Sequence, residues 1–105
     1  MADQPTYFVR LSLMDPRPGE RERVIKIHEE LVKWLPGRPG FVRGYVITSG
    51  DPADRVGHMN VWASMHDADQ AAQSQHVLSL RSELMLLIEE GSHAEHSYEA
   101  YDPAP

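Results

Sequence analysis

The sequence predicts an α+β domain in which a four-stranded antiparallel sheet carries helices on one face. Three observations predict it. Strand-like alternation and helical periodicity follow one another in the order βαββαβ. Proline, glycine and aspartate mark the changes of period. The chain of 105 residues is too short to divide into two useful cores. Two strand–helix–strand halves of this order close into the ferredoxin-like arrangement.

Thr6 to Met14 alternates Tyr7, Val9, Leu11 and Leu13 with Phe8, Arg10, Ser12 and Met14, which reads as the first strand. Asp15-Pro16-Arg17-Pro18-Gly19 breaks it. Pro18, with Glu20 and Glu22 behind it, suits a helix start, because carboxylates favour the positive end of the helix dipole. Val24, Ile27, Leu31, Trp34 and Leu35 then recur on one side until Pro36-Gly37 ends the helix. Phe41 to Thr48 and Gly57 to Ala63 form a predicted hairpin about Ser49-Gly50-Asp51-Pro52 and Asp54. Asp67 is the expected N-cap of a second helical stretch reaching Glu90, bent or interrupted near Ser74 to Ser79 and stopped by Gly91. Ser92 to Tyr101 is the last strand, and Pro103-Ala104-Pro105 is a loose tail. The whole chain, 1–105, is thus a single domain with an ordered core of about 6–101.

Both alternation sets of the strands carry large apolar groups. Strand one sets Tyr7, Val9, Leu11 and Leu13 against Phe8 and Met14, and strand two sets Val42 and Val46 against Phe41, Tyr45 and Ile47. A sheet apolar on both faces needs cover on both, so a sheet-to-sheet homodimer is expected, a dimeric α/β barrel.

Composition narrows the function. A formal charge of -6 with 10 Lys+Arg and no basic cluster argues against nucleic acid, whose affinity rests on basic side chains displacing counterions. The absence of cysteine removes disulfides, thiolate metal sites and thiol nucleophiles, and fits a cytoplasmic location. The amino terminus lacks a signal-peptide pattern, and the apolar stretch around Leu84 to Ile88 is too short to cross a bilayer, so no membrane role is expected. No GxGxxG, phosphate-loop or G-x-S-x-G sequence occurs.

The residues with chemical potential gather on strand three and the helix after it. Trp62 shares a strand face with His58, Asn60 and Ser64, which sets an indole beside polar groups on a surface that must be buried. Ala68, Ala71 and Ala72 leave room on the adjoining helix, as a ligand cavity between helix and sheet requires. The other reading of Trp62 is a core tryptophan with its indole N–H bonded to a neighbour. His76 stands in the series Ala72, His76, Leu80, Leu84, so its imidazole leans toward the apolar side, as a ligand contact or as a core histidine. In the first case it could take a phenolic proton. Arg81 could stabilise the resulting oxyanion, or simply be a solvated helix arginine. His93, Glu95 and His96 invite a metal reading, but strand geometry sends His96 to the opposite face from the other two, and His28-Glu29-Glu30 lacks a second histidine one turn away. No metal site is expected.

Met14-Asp15-Pro16-Arg17-Pro18-Gly19-Glu20, Phe41-Val42-Arg43-Gly44 and Val61-Trp62-Ala63-Ser64 leading into Asp67-Ala68-Asp69-Gln70 resemble the antibiotic biosynthesis monooxygenase family of dimeric α/β-barrel proteins. The resemblance runs from about Thr6 to Tyr101. It implies oxygenation of a small aromatic or quinol-like substrate without a cofactor, or haem breakdown as in the haem-degrading branch. That branch calls for an asparagine in the first strand and a tryptophan beside a histidine in the second helix. Strand one here has Arg10 and Ser12, and the second helix has His76 without tryptophan, which disfavours it. In the cofactor-free branch, Trp62 matches the pocket tryptophan in kind and Arg81 approximates the helix arginine, while Asn60 stands at a different position from the family's asparagine. The residue reading and the resemblance together give Trp62, His76 and Arg81 as the expected catalytic residues and Asn60, Tyr45 and His58 as the expected substrate contacts. A non-catalytic ligand-binding or stress-related dimer on the same barrel is the alternative.

Overall fold

The computed structural model describes residues 5–50 and 54–104. Asp51 and Pro52 of the expected turn, the first four residues and Pro105 lie outside them. Among the described residues the order is β1 (Tyr7–Met14), α1 (Arg21–Trp34), β2 (Phe41–Thr48), β3 (Val56–Trp62), α2 (Met65–Ala72), α3 (Gln75–Met85) and β4 (Ala94–Ala100). The strands form one antiparallel sheet in the order β2-β3-β1-β4, the α+β ferredoxin-like arrangement.

The expected second helix is two helices. Ser74 interrupts it: its backbone is extended, and its hydroxyl accepts the Val77 N–H to cap α3. At the other end Ser64, not Asp67, is the N-cap of α2. Ser64 Oγ accepts the Asp67 N–H and donates its own proton to the Asp67 carboxylate 2.9 Å away, so Asp67 occupies the third helical position of a reciprocal cap. Helical structure ends at Met85 instead of Glu90, and the chain returns to the sheet through an isolated bridge from Ile88 to Pro16.

The helix-side face of the sheet carries Phe8, Arg10, Ser12 and Met14 of β1 opposite Trp62, Asn60, His58 and Val56 of β3. Val24, Ile27, Leu31 and Leu35 of the α1 region meet Val77, Leu80 and Leu84 of α3 over it. Strand two contains a bulge between Phe41 and Arg43. The extra residue reverses the alternation that an unbroken strand would have. Phe41 therefore joins Gly44 and Val46 on the helix side, where its ring meets Trp62 edge-on at 5.2 Å.

The opposite face has no helix over it. Val9, Leu11, Leu13, Ile47, Met59 and Val61 are only partly buried there, and Tyr45 and Tyr98 are about half exposed. Among the described residues no helix is long and apolar enough to cross a membrane.

Candidate functional site

Between the helices and the sheet lies a cavity of about 60 Å³, counted as room for the centres of water-sized molecules. Strand alternation delivers one wall: Arg10 and Ser12 from β1, with His58, Asn60 and Trp62 from β3. Helix α2 delivers the space, since Ala68, Ala71 and Ala72 end at their methyl groups. Helix α3 contributes Arg81 beside the apolar Val77 and Leu84, and His93 and Glu95 come from the last strand and its approach.

Trp62 is nearly fully buried and belongs to the core as well as to the cavity wall. Asn60 is 5% exposed, and its side-chain oxygen is buried without a hydrogen-bond partner among the described residues. An unpaired buried amide costs about 1–3 kcal/mol. A ligand that donates a hydrogen bond to this oxygen would remove that cost. Gly44 pairs with Asn60 across the β2–β3 ladder, and its lack of a side chain is what admits the amide.

A second imidazole, His28, stands behind His58 of the wall. His28 Nδ1 lies 2.9 Å from His58 Nδ1, and His28 Nε2 lies 3.3 Å from the Met14 sulfur. His28 is completely buried. Burial, and to a lesser degree the nearby His93, lowers its pKa to about 4. His58 is lowered to about 3 by burial first and then by His28, His93 and Arg81. His93 is lowered too, by burial and Arg81, with Glu95 acting in the opposite sense. Its Nε2 lies 2.9 Å from Ser12 Oγ. The three imidazoles are therefore neutral at pH 7.

The fixed charges at the rim compensate one another. Arg10 bonds Asp69 at 3.0 Å and approaches Glu95 at 3.4 Å, while Arg81 lies 3.7 Å from the other Glu95 oxygen. Arg81 is partly exposed, so it can turn toward a ligand without leaving a buried charge unpaired.

The structure brings Trp62, Arg81, Asn60 and His58 around one cavity and places His76 and Tyr45 away from it. The helix break explains His76. Spacing across an unbroken helix groups it with Ala72, but α3 starts afresh after Ser74 and turns Val77, Leu80 and Leu84 inward. His76 stacks on Trp34 with ring centres 5.0 Å apart. Tyr45 lies on the helix-free face of the sheet, beyond the bulge, with its hydroxyl near Arg43. Arg10, Ser12, His28, His93 and Glu95 were not among the sequence-predicted site residues. His28 had a signal, since it sits four residues after Val24 and three before Leu31 on the buried stripe. Among the described residues no cluster of three or more potential metal ligands occurs.

No family model matches the sequence, and no curated protein does. Solved structures match over nearly the full length. Rv0793 from Mycobacterium tuberculosis superposes with a TM-score of 0.82 at 17% identity, covering 94% of this chain and 99% of that one. SnoaB, a cofactor-independent oxygenase from Streptomyces nogalater, gives 0.79 at 15% identity, covering 94% and 97%. A Nitrosomonas europaea protein carrying the antibiotic biosynthesis monooxygenase name gives 0.78 at 15% identity, covering 100% and 97%. The chain has the antibiotic biosynthesis monooxygenase fold. Identities this low carry the fold alone and leave the chemistry to be argued from the cavity itself.

Proposed function

We propose that the protein is a homodimer whose subunits each bind a small aromatic or quinol-like molecule between helices and sheet and oxygenate it without flavin or metal. The observation that carries this reading is the unpaired side-chain oxygen of Asn60 beside Trp62 and Arg81 in one cavity. A ring packs against the Trp62 indole, its hydroxyls face His58 and the Asn60 oxygen, and Arg81 steadies negative charge as it develops. His58 takes the place that sequence spacing suggested for His76, because it is a neutral imidazole on the cavity wall, on the same strand face as Asn60 and Trp62.

A hydroquinone supplies its own electrons. Loss of a hydroxyl proton lets it reduce dioxygen; one oxygen atom enters the ring and the other leaves as water, so that hydroquinone and dioxygen give hydroxyquinone and water. Sheet-to-sheet pairing of two chains would cover Leu11, Met59, Val61 and their neighbours.

One observation favours the rival reading of a ligand-binding dimer without turnover: a His58 pKa far below 7 makes the imidazole a weak base. Oxygen uptake separates the two. In a sealed cell with hydroquinone, the oxygenase consumes dioxygen above the buffer rate and yields hydroxyquinone. Binding without such uptake supports the rival.

A further inference from the structure

We infer that His28, buried behind the cavity wall, is a positioning residue that fixes His58 as a hydrogen-bond acceptor, so that the cavity selects a ligand offering a neutral phenolic or enolic hydroxyl. The inference rests on the cavity being a ligand site, as proposed above, and does not depend on oxygenation.

Met14 sets the hydrogen positions of the pair. A thioether sulfur accepts hydrogen bonds and donates none. His28 Nε2, 3.3 Å from that sulfur, must therefore carry the hydrogen. Full burial keeps the His28 ring neutral, which leaves its Nδ1 with a lone pair. That lone pair faces His58 Nδ1 at 2.9 Å, so His58 must donate from Nδ1. A neutral His58 then has its own lone pair on Nε2, and this nitrogen has no protein hydrogen bond among the described residues. The reverse assignment would set a nitrogen lone pair of His28 against the sulfur and lose that contact.

His58 thus presents the cavity with an acceptor. A hydroxyl can donate to it; an ether cannot, and an oxyanion is repelled by it. In the unliganded cavity the guanidiniums are engaged, Arg10 by Asp69 and Glu95 and Arg81 by Glu95, so binding selects the neutral hydroxyl and Arg81 turns to the ligand only as charge develops in the reaction. The unpaired side-chain oxygen of Asn60 is a second acceptor on the same wall, so it too calls for a donor from the ligand.

The test is nitrogen-15 NMR of the full chain labelled at histidine, at pH 7 and without oxygen. Expected are His58 protonated on Nδ1 alone and His28 on Nε2 alone. Addition of 1,4-hydroquinone should shift His58 Nε2, and it should bind at least about tenfold more tightly than 1,4-dimethoxybenzene, since an unpaired site acceptor is costly. Met14→Leu keeps the core volume and removes the sulfur, and should turn the pair into a mixture of both tautomers while hydroquinone loses much of its advantage. His58 protonated on Nε2, no hydroquinone binding, or equal affinity for the ether would each overturn the inference. Hydroquinone that binds with the expected His58 shift but consumes no oxygen on admission of air leaves the inference intact and ends the oxygenase reading.

Discussion

The amide of Asn60 lies over Gly44, where a Cβ would fall 2.6 Å from the Asn60 side-chain oxygen, 3.2 Å from Val32 and 3.3 Å from Phe41. Gly44→Ala should therefore destabilise the fold by about 1–3 kcal/mol, the usual cost of overpacking. In an Asn60→Ala background the same change should cost less, because the two sites share one space and their effects are not additive. Urea denaturation of the two single variants and the double variant checks this. Strict additivity would contradict the contact.

The imidazole pair makes stability depend on pH. Folded-state pKa values of about 4 for His28 and about 3 for His58 lie below the ordinary 6.5. As pH falls below 6.5 the unfolded chain takes up protons that the folded chain refuses, so stability decreases on acidification and is fully present above pH 7. The slope approaches about 1.4 kcal/mol per pH unit for each histidine concerned. Denaturation at pH 7, 6 and 5 should show this fall, and His28→Asn should flatten it. A midpoint that does not move over that range would refute the buried neutral pair.

Arg81→Ala should separate binding chemistry from stability. The side chain is 40% exposed and its partner Glu95 also contacts Arg10, so the change in stability should stay within about 1 kcal/mol, the ordinary worth of an exposed pair. Hydroquinone-dependent oxygen uptake should fall by about a hundredfold, as expected when charge stabilisation is removed from a developing anion. Unchanged uptake would remove Arg81 from the mechanism.

The helix-free face predicts the oligomeric state. Light scattering should report two chains per particle at micromolar concentration. Leu11→Arg, placed between Met59 and His96 in the sheet, should yield single chains that remain folded. Wild-type protein found only as single chains would overturn the dimer.

Alternation and periodicity made much of this architecture legible. The period of two put His58, Asn60 and Trp62 on one face, and the small residues of α2 marked the space beside them. Local irregularities hid the rest. One bulged residue in β2 sent Phe41 and Tyr45 to opposite faces, and the cap at Ser74 cut the helix that would have carried His76 toward the cavity. Arg10, Ser12 and Glu95 meet only through the β1–β4 pairing, with Ser12 opposite Glu95 despite their separation along the chain. The His28–His58 contact joins a helix to a strand, and neither residue's own periodicity specifies the other.

A crystal structure of the protein soaked with hydroquinone under anaerobic conditions tests the central claim most directly. The expected result is the ring against Trp62, with a hydroxyl donating to His58 Nε2. An unchanged cavity, with hydroquinone bound elsewhere or not at all at saturating concentration, would contradict it.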